Sequence, residues 1–99
     1  MDTVGVLEDV HNERLAQDDK WGEQSHPDGR QAPPFVVDWQ RQHVEAQVER
    51  GETNWRDILH EEVLEAYGAI GTDKALREEL IQVAAVAVAW IEAIDRRGS

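Results

Sequence analysis

Ninety-nine residues, 40% apolar and 31% charged, make one small globular domain whose core is modest unless a partner copy completes it. A net charge of −11 argues against a binder of nucleic-acid backbones, which needs a basic surface, and the lack of cysteine excludes disulfides and thiolate chemistry. The longest apolar run, Val83 to Ile91, falls far short of the roughly 20 residues of a membrane helix, and the early acids leave no export-signal core; the expected compartment is the cytosol, with no membrane partner.

The first element expected is a helix over residues 4–20, with Asp2 or Thr3 as cap and Val6 or Leu7, Val10, Arg14 or Leu15, and Gln17 in helical rhythm. Trp21 and Gly22 end it. A loop over 21–35 follows, marked by His26-Pro27-Asp28-Gly29 and Pro33-Pro34. Lys20, His26 and Arg30 are basic groups that can meet phosphate oxygens there; the plainer reading is a polar connector with incidental charges. A second helix spans 36–50, with Val37, Val44 and Val48 inward, and Gln40, Arg41, Gln42, His43 and Gln47 facing solvent. Gly51 stops it.

Thr53 or Asn54 caps a third helix over 54–69, with Asp57 in its first turn. Gly71-Thr72-Asp73 links it to a fourth helix over 72–97, closed by Arg96 and Arg97 and followed by a frayed tail at Gly98-Ser99. The alanine-rich segment from Ala84 to Ala89 is apolar around most of its circumference, which calls for a second subunit. No strand pattern is present, so the fold class expected is all-α: a four-helix bundle completed by oligomerisation. Of the four tryptophans, Trp90 lies on a core stripe and Trp55 near a helix start, while Trp21, between helix and loop, is the best stacking surface for a planar ligand.

The third and fourth helices carry the informative chemistry. Leu59, Val63, Ala66 and Ile70 share one helical face, with Glu62 and Glu65 on its flank. Leu76, Leu80, Val83, Ala87, Trp90 and Ile94 share another, flanked by Glu79 and Gln82 at the same offset. Packed antiparallel by their stripes, the two helices turn both pairs toward one pocket. Three carboxylates and an amide oxygen around one cavity suit a hard divalent cation, Mg²⁺ or Mn²⁺. The plainer alternative is a solvated acidic rim.

Glu61, Glu62 and Glu65, thirteen residues, then Glu79 and Gln82 resemble the E-E-x-x-E … E-x-x-D signature of the MazG-like all-α nucleoside triphosphate pyrophosphatases. Glu13-Arg14, Gln17, Lys20-Trp21-Gly22 and His26-Pro27 resemble the first helix and loop of small members. The chain departs from the pattern at Gln82, where the family has Asp: an amide oxygen can ligate Mg²⁺ but brings no charge and cannot act as a base.

The resemblance implies a MazG-like bundle that is a homodimer or homotetramer. It also implies Mg²⁺-dependent cleavage of a (deoxy)nucleoside triphosphate to monophosphate and pyrophosphate. Glu62, Glu65, Glu79 and Gln82 would hold metal, Glu61 and Glu62 would serve catalysis, and Arg14, Gln17, Lys20, Trp21 and His26 would contact substrate. Two other readings stay open: a nucleotide-binding or regulatory module with a weakened site, and a plain helical assembly protein.

Overall fold

The structure, a computed structural model, describes residues 2–97; the tail expected at Gly98-Ser99 lies outside them. All regular structure among these residues is helical: α1 (Thr3–Trp21), α2 (Pro34–Arg50), α3 (Trp55–Gly68) and α4 (Asp73–Arg97). The expected spans lie within a turn of these. The largest displacement is at α2, which begins at Pro34. A proline at the first helical position forfeits only an amide that has no helical partner anyway, so Pro33-Pro34 starts the helix rather than holding it off. The described chain divides into two compact units, residues 28–87 and residues 2–27 with 88–97.

The unit of residues 28–87 is built on α2 against α3. Gly51, in the left-handed region at φ 70°, closes α2 and donates its amide back to Gln47 and Val48. The chain then turns into α3, where the Asn54 side chain accepts from the Asp57 amide. Asn54→Ala is therefore expected to cost about 1 kcal/mol in a urea titration; an unchanged midpoint would show that the cap is redundant. At the other end of α3, Gln31 donates to the Gly68 carbonyl at 2.7 Å and the Ala32 amide to the Tyr67 carbonyl at 3.0 Å. The segment before α2 thereby satisfies carbonyls that a helix end leaves open. Gly68 lets α2 come close: a β-carbon there would stand 3.1 Å from Val37 Cγ2.

The buried face of α2 differs from the expected one. Val37 and Val44 are buried, but Val48, in the last turn before Gly51, is 61% exposed. Gln40 and Gln47, expected in solvent, are buried instead. The reason is Asp57, itself buried: Gln47 Nε2 donates to its Oδ2 at 2.6 Å, and Gln40 Nε2 lies 3.4 Å from its backbone carbonyl oxygen. Asn54 Nδ2 supplies a second donor to Oδ2 at 2.9 Å. Buried polar groups need partners, and here the stripe 37-40-44-47 alternates valine with glutamine to provide them.

The other unit holds α1 and the last part of α4. Asp2 caps α1 by accepting from the Gly5 amide, and Thr3 Oγ1 donates to Glu92 Oε1 at 2.7 Å. Of the rhythm expected in α1 only Val6 is buried; Leu7, Val10 and Leu15 are exposed. Val88 is buried on α4, while Leu80 and Ile94, expected on its inward stripe, are exposed. Among the described residues no helix is long and apolar enough to cross a membrane.

Candidate functional site: an acidic triad on α3 and α4

Glu62 and Glu65 stand one turn apart on α3, and a tight link returns the chain into α4 two turns before Glu79. The link is made by the Thr72 amide donating to the Ala69 carbonyl and by Gly71 at φ 113°, where a side chain would be strained. As a result one carboxylate oxygen from each of Glu62, Glu65 and Glu79 lies within 4.8 Å of the others. All three side chains are half-buried, so water screens them only in part.

Partial burial raises the Glu62 pKa above the ordinary carboxylate value, and the negative charges of Glu65, Glu61 and Glu79 add to it. Glu61 is raised by burial first and Glu65 second, with Arg41 opposing. Glu61 and Glu62 thus hold a proton more readily than isolated glutamates do. Arg41 from α2 is already drawn in: its Nη2 donates to Glu65 Oε1 at 3.2 Å and its Nη1 to Asp38 at 3.3 Å. Hard carboxylate oxygens at this spacing fit Mg²⁺ or Mn²⁺.

Gln82 lies one turn beyond Glu79 and is exposed. Gln82→Asp would add a negative charge on the flank of the triad. Even well screened, a charge a few ångströms from a divalent ion should tighten Mn²⁺ binding by about tenfold. Calorimetric titration checks this; an unchanged affinity would place Gln82 outside the reach of the ion.

The residues expected to contact substrate lie on α1 and the following loop. Arg14, Gln17 and Trp21 line one open concavity with Asp18, Glu23 and Gln24. Arg14 is bonded to Gln17 at 2.8 Å and to Asp18 at 2.9 Å, so its charge is partly spent. Trp21 is 62% exposed, with the Lys20 ammonium 4.7 Å above its ring. His26 makes a 3.1 Å hydrogen bond to Gln24.

Two features went unread in the sequence. Arg41 is exposed, as expected, but it also pairs with Glu65, which lies 24 positions away. Trp39, 64% exposed, stacks on His43 with ring centres 5.4 Å apart. It also lines an apolar groove with Phe35, His60 and Leu64. An aromatic residue four positions before a histidine on a helix is the only signal of that stack.

Compared with protein-family models, with curated proteins and with solved structures, the chain matches none.

Proposed function

We propose that the chain is a Mg²⁺-dependent nucleotide pyrophosphohydrolase with a MazG-like fold, converting a (deoxy)nucleoside triphosphate to monophosphate and pyrophosphate in the cytosol. The observation that carries this reading is the convergence of Glu62, Glu65 and Glu79, taken with the resemblance of the Glu61–Gln82 stretch to that family. In this reading Glu62, Glu65 and Glu79 hold the metal. A bound Mg²⁺ supplies charge neutralisation for the phosphates and a water of lowered pKa.

The protein's own groups do the rest. Glu61, next to Glu62 on α3, offers a carboxylate to orient the attacking water or accept its proton. In the unit of α1, Trp21 exposes an indole face, and Lys20, Arg14, Gln17 and His26 carry donors that the family resemblance assigns to substrate contacts. A panel of nucleoside triphosphates incubated with Mg²⁺, with pyrophosphate detected directly, tests the reading. Metal-dependent pyrophosphate release from at least one nucleotide supports it. Metal-dependent nucleotide binding without turnover would favour a regulatory module, the reading that the neutral Gln82 motivates. Neither activity would leave a helical assembly protein.

We further propose a homodimer or homotetramer. Leu80 and Ile81 on α4 are about half exposed, as is Tyr67 on α3, and these are side chains a water-facing helix has no need of. Sedimentation at micromolar concentration should give at least twice the 11.3 kDa chain mass. Leu80→Lys should shift the protein toward monomer, and a wild-type monomer at that concentration would refute the assembly.

A further inference from the structure

We propose that Arg41 is a phosphate ligand of this site, held by Glu65 until a divalent cation occupies the triad and then transferred to an oxygen of the triphosphate. The inference rests on the metal-site reading above and adds to it a substrate contact on α2, the helix that carries no part of the acidic motif.

Three observations support it. The first is donor arithmetic. A guanidinium has five N–H donors in a planar fork; Arg41 commits one nitrogen to Asp38 and one to Glu65, each through a single contact, and its side chain is 46% exposed. Donors remain for a phosphate, whose oxygens accept from such a fork in pairs.

The second is bond quality. At 3.2 and 3.3 Å, both contacts are longer than the roughly 2.7–2.9 Å of strong charge-assisted hydrogen bonds. Neither is bidentate. An exposed pair of this kind is held weakly and exchanges readily.

The third is charge. With two further carboxylate oxygens within 4.8 Å, Glu65 attracts any nearby cation, and Arg41 serves as its counter-ion. Glu62, Glu65 and Glu79 would hold a divalent ion that offsets two of their three charges, and Glu65 would then hold Arg41 less strongly. Arg41 would be left with donors for the highly anionic triphosphate that such an ion attracts. In a chain with 21 acidic and 10 basic side chains, a cation beside the acidic cluster offsets repulsion that an incoming polyphosphate would otherwise meet.

The experiment uses the intact protein with Mn²⁺ alone, then with Mn²⁺ and inorganic tripolyphosphate, followed by calorimetry for wild type, Arg41→Met and Arg41→Lys. Arg41 is surface-exposed, so both variants should fold, as circular dichroism will check. Arg41→Met is expected to bind Mn²⁺ at least as tightly as wild type, because a competitor for Glu65 is gone. Its affinity for tripolyphosphate should fall by about ten- to a hundredfold, the usual weight of a charged hydrogen bond. Arg41→Lys should lie between the two, keeping the charge and losing the fork. With nucleotide substrate the loss should appear in KM more than in kcat.

Weaker Mn²⁺ binding with unchanged tripolyphosphate affinity would overturn the proposal and make Arg41 a residue that only orients Glu65. No change in either quantity would overturn it as well. A wild-type protein that binds no Mn²⁺ removes the metal site itself, and with it this inference. Wild-type Mn²⁺ binding with a silent Arg41→Met removes the inference alone.

Discussion

Replacing Glu62, Glu65 or Glu79 by glutamine is expected to reduce pyrophosphate release on the order of a thousandfold while leaving the helices intact. The size follows from what is removed: a metal's stabilisation of phosphate charge is worth several kcal/mol, and each 1.4 kcal/mol is about tenfold in rate. The triad is compact, with donor oxygens within 4.8 Å of one another, so each carboxylate is a substantial part of one small charge set. The metal-free variants should melt no lower than wild type. Glu62 is partly buried against like charges, and neutralising it relieves repulsion in the folded state. A solvated acidic rim predicts the opposite pattern, in which activity and stability are indifferent to all three substitutions. Wild-type turnover in any one variant would take that residue out of the site, and in all three would dissolve the site.

The other large effect is expected at Asp57, and it is one of stability. Asp57→Ala leaves Gln47 Nε2 and Asn54 Nδ2 without their acceptor. Gln47 is buried and its Oε1 already lacks a hydrogen-bond partner among the described residues, so the whole amide would be stranded. For a chain of this size the melting temperature should fall on the order of 10 °C. Combining Asp57→Ala with Gln47→Leu should recover part of the loss, because no buried donor is then orphaned.

The same contacts set a pH dependence. Hydrogen bonds from Gln47 and then Asn54 hold the Asp57 pKa below its ordinary 3.8. A depressed folded-state value means stability that is fully present above the ordinary value and lost as the pH falls through the folded one. Glu61 and Glu62 act in the opposite sense. Their raised values cost stability at neutral pH, and the cost is relieved as the pH falls through them. Stability of the metal-free protein should therefore peak on the acidic side of neutrality and collapse at lower pH. Urea midpoints against pH for wild type and Asp57→Asn check this. Identical acid collapse in the two would show that Asp57 is not the group responsible.

Much of the fold is local and was therefore legible. Asp2, Gly51 and Asn54 act within a few residues of themselves, and each ends or begins a helix where its chemistry suggests. The triad was legible for a related reason. Glu62 and Glu65 are paired by helical spacing alone, and a four-residue link leaves α4 little freedom in where it returns Glu79.

What apolar periodicity could not show is the face of α2. Gln40 and Gln47 are buried because Asp57 lies opposite them, a partner chosen by tertiary packing. Arg41 escaped for the same reason, since nothing within a turn of it marks Glu65 as its acceptor. On α1 the apolar rhythm is present but does not mark a buried face, because Leu7, Val10 and Leu15 are exposed. An apolar stripe predicts that something is covered only when a second element, or a second copy, is there to cover it.

We propose that the acids of α3 and α4 hold a divalent cation for hydrolysis of a triphosphate at its α-phosphate. This reading is tested most directly by ³¹P NMR of a nucleoside triphosphate panel with Mg²⁺ in ¹⁸O-enriched water. The expected result is Mg²⁺-dependent conversion of at least one nucleotide to pyrophosphate and a monophosphate carrying the ¹⁸O label. Intact triphosphate across the whole panel at stoichiometric protein, or label appearing in pyrophosphate or orthophosphate instead, would contradict it.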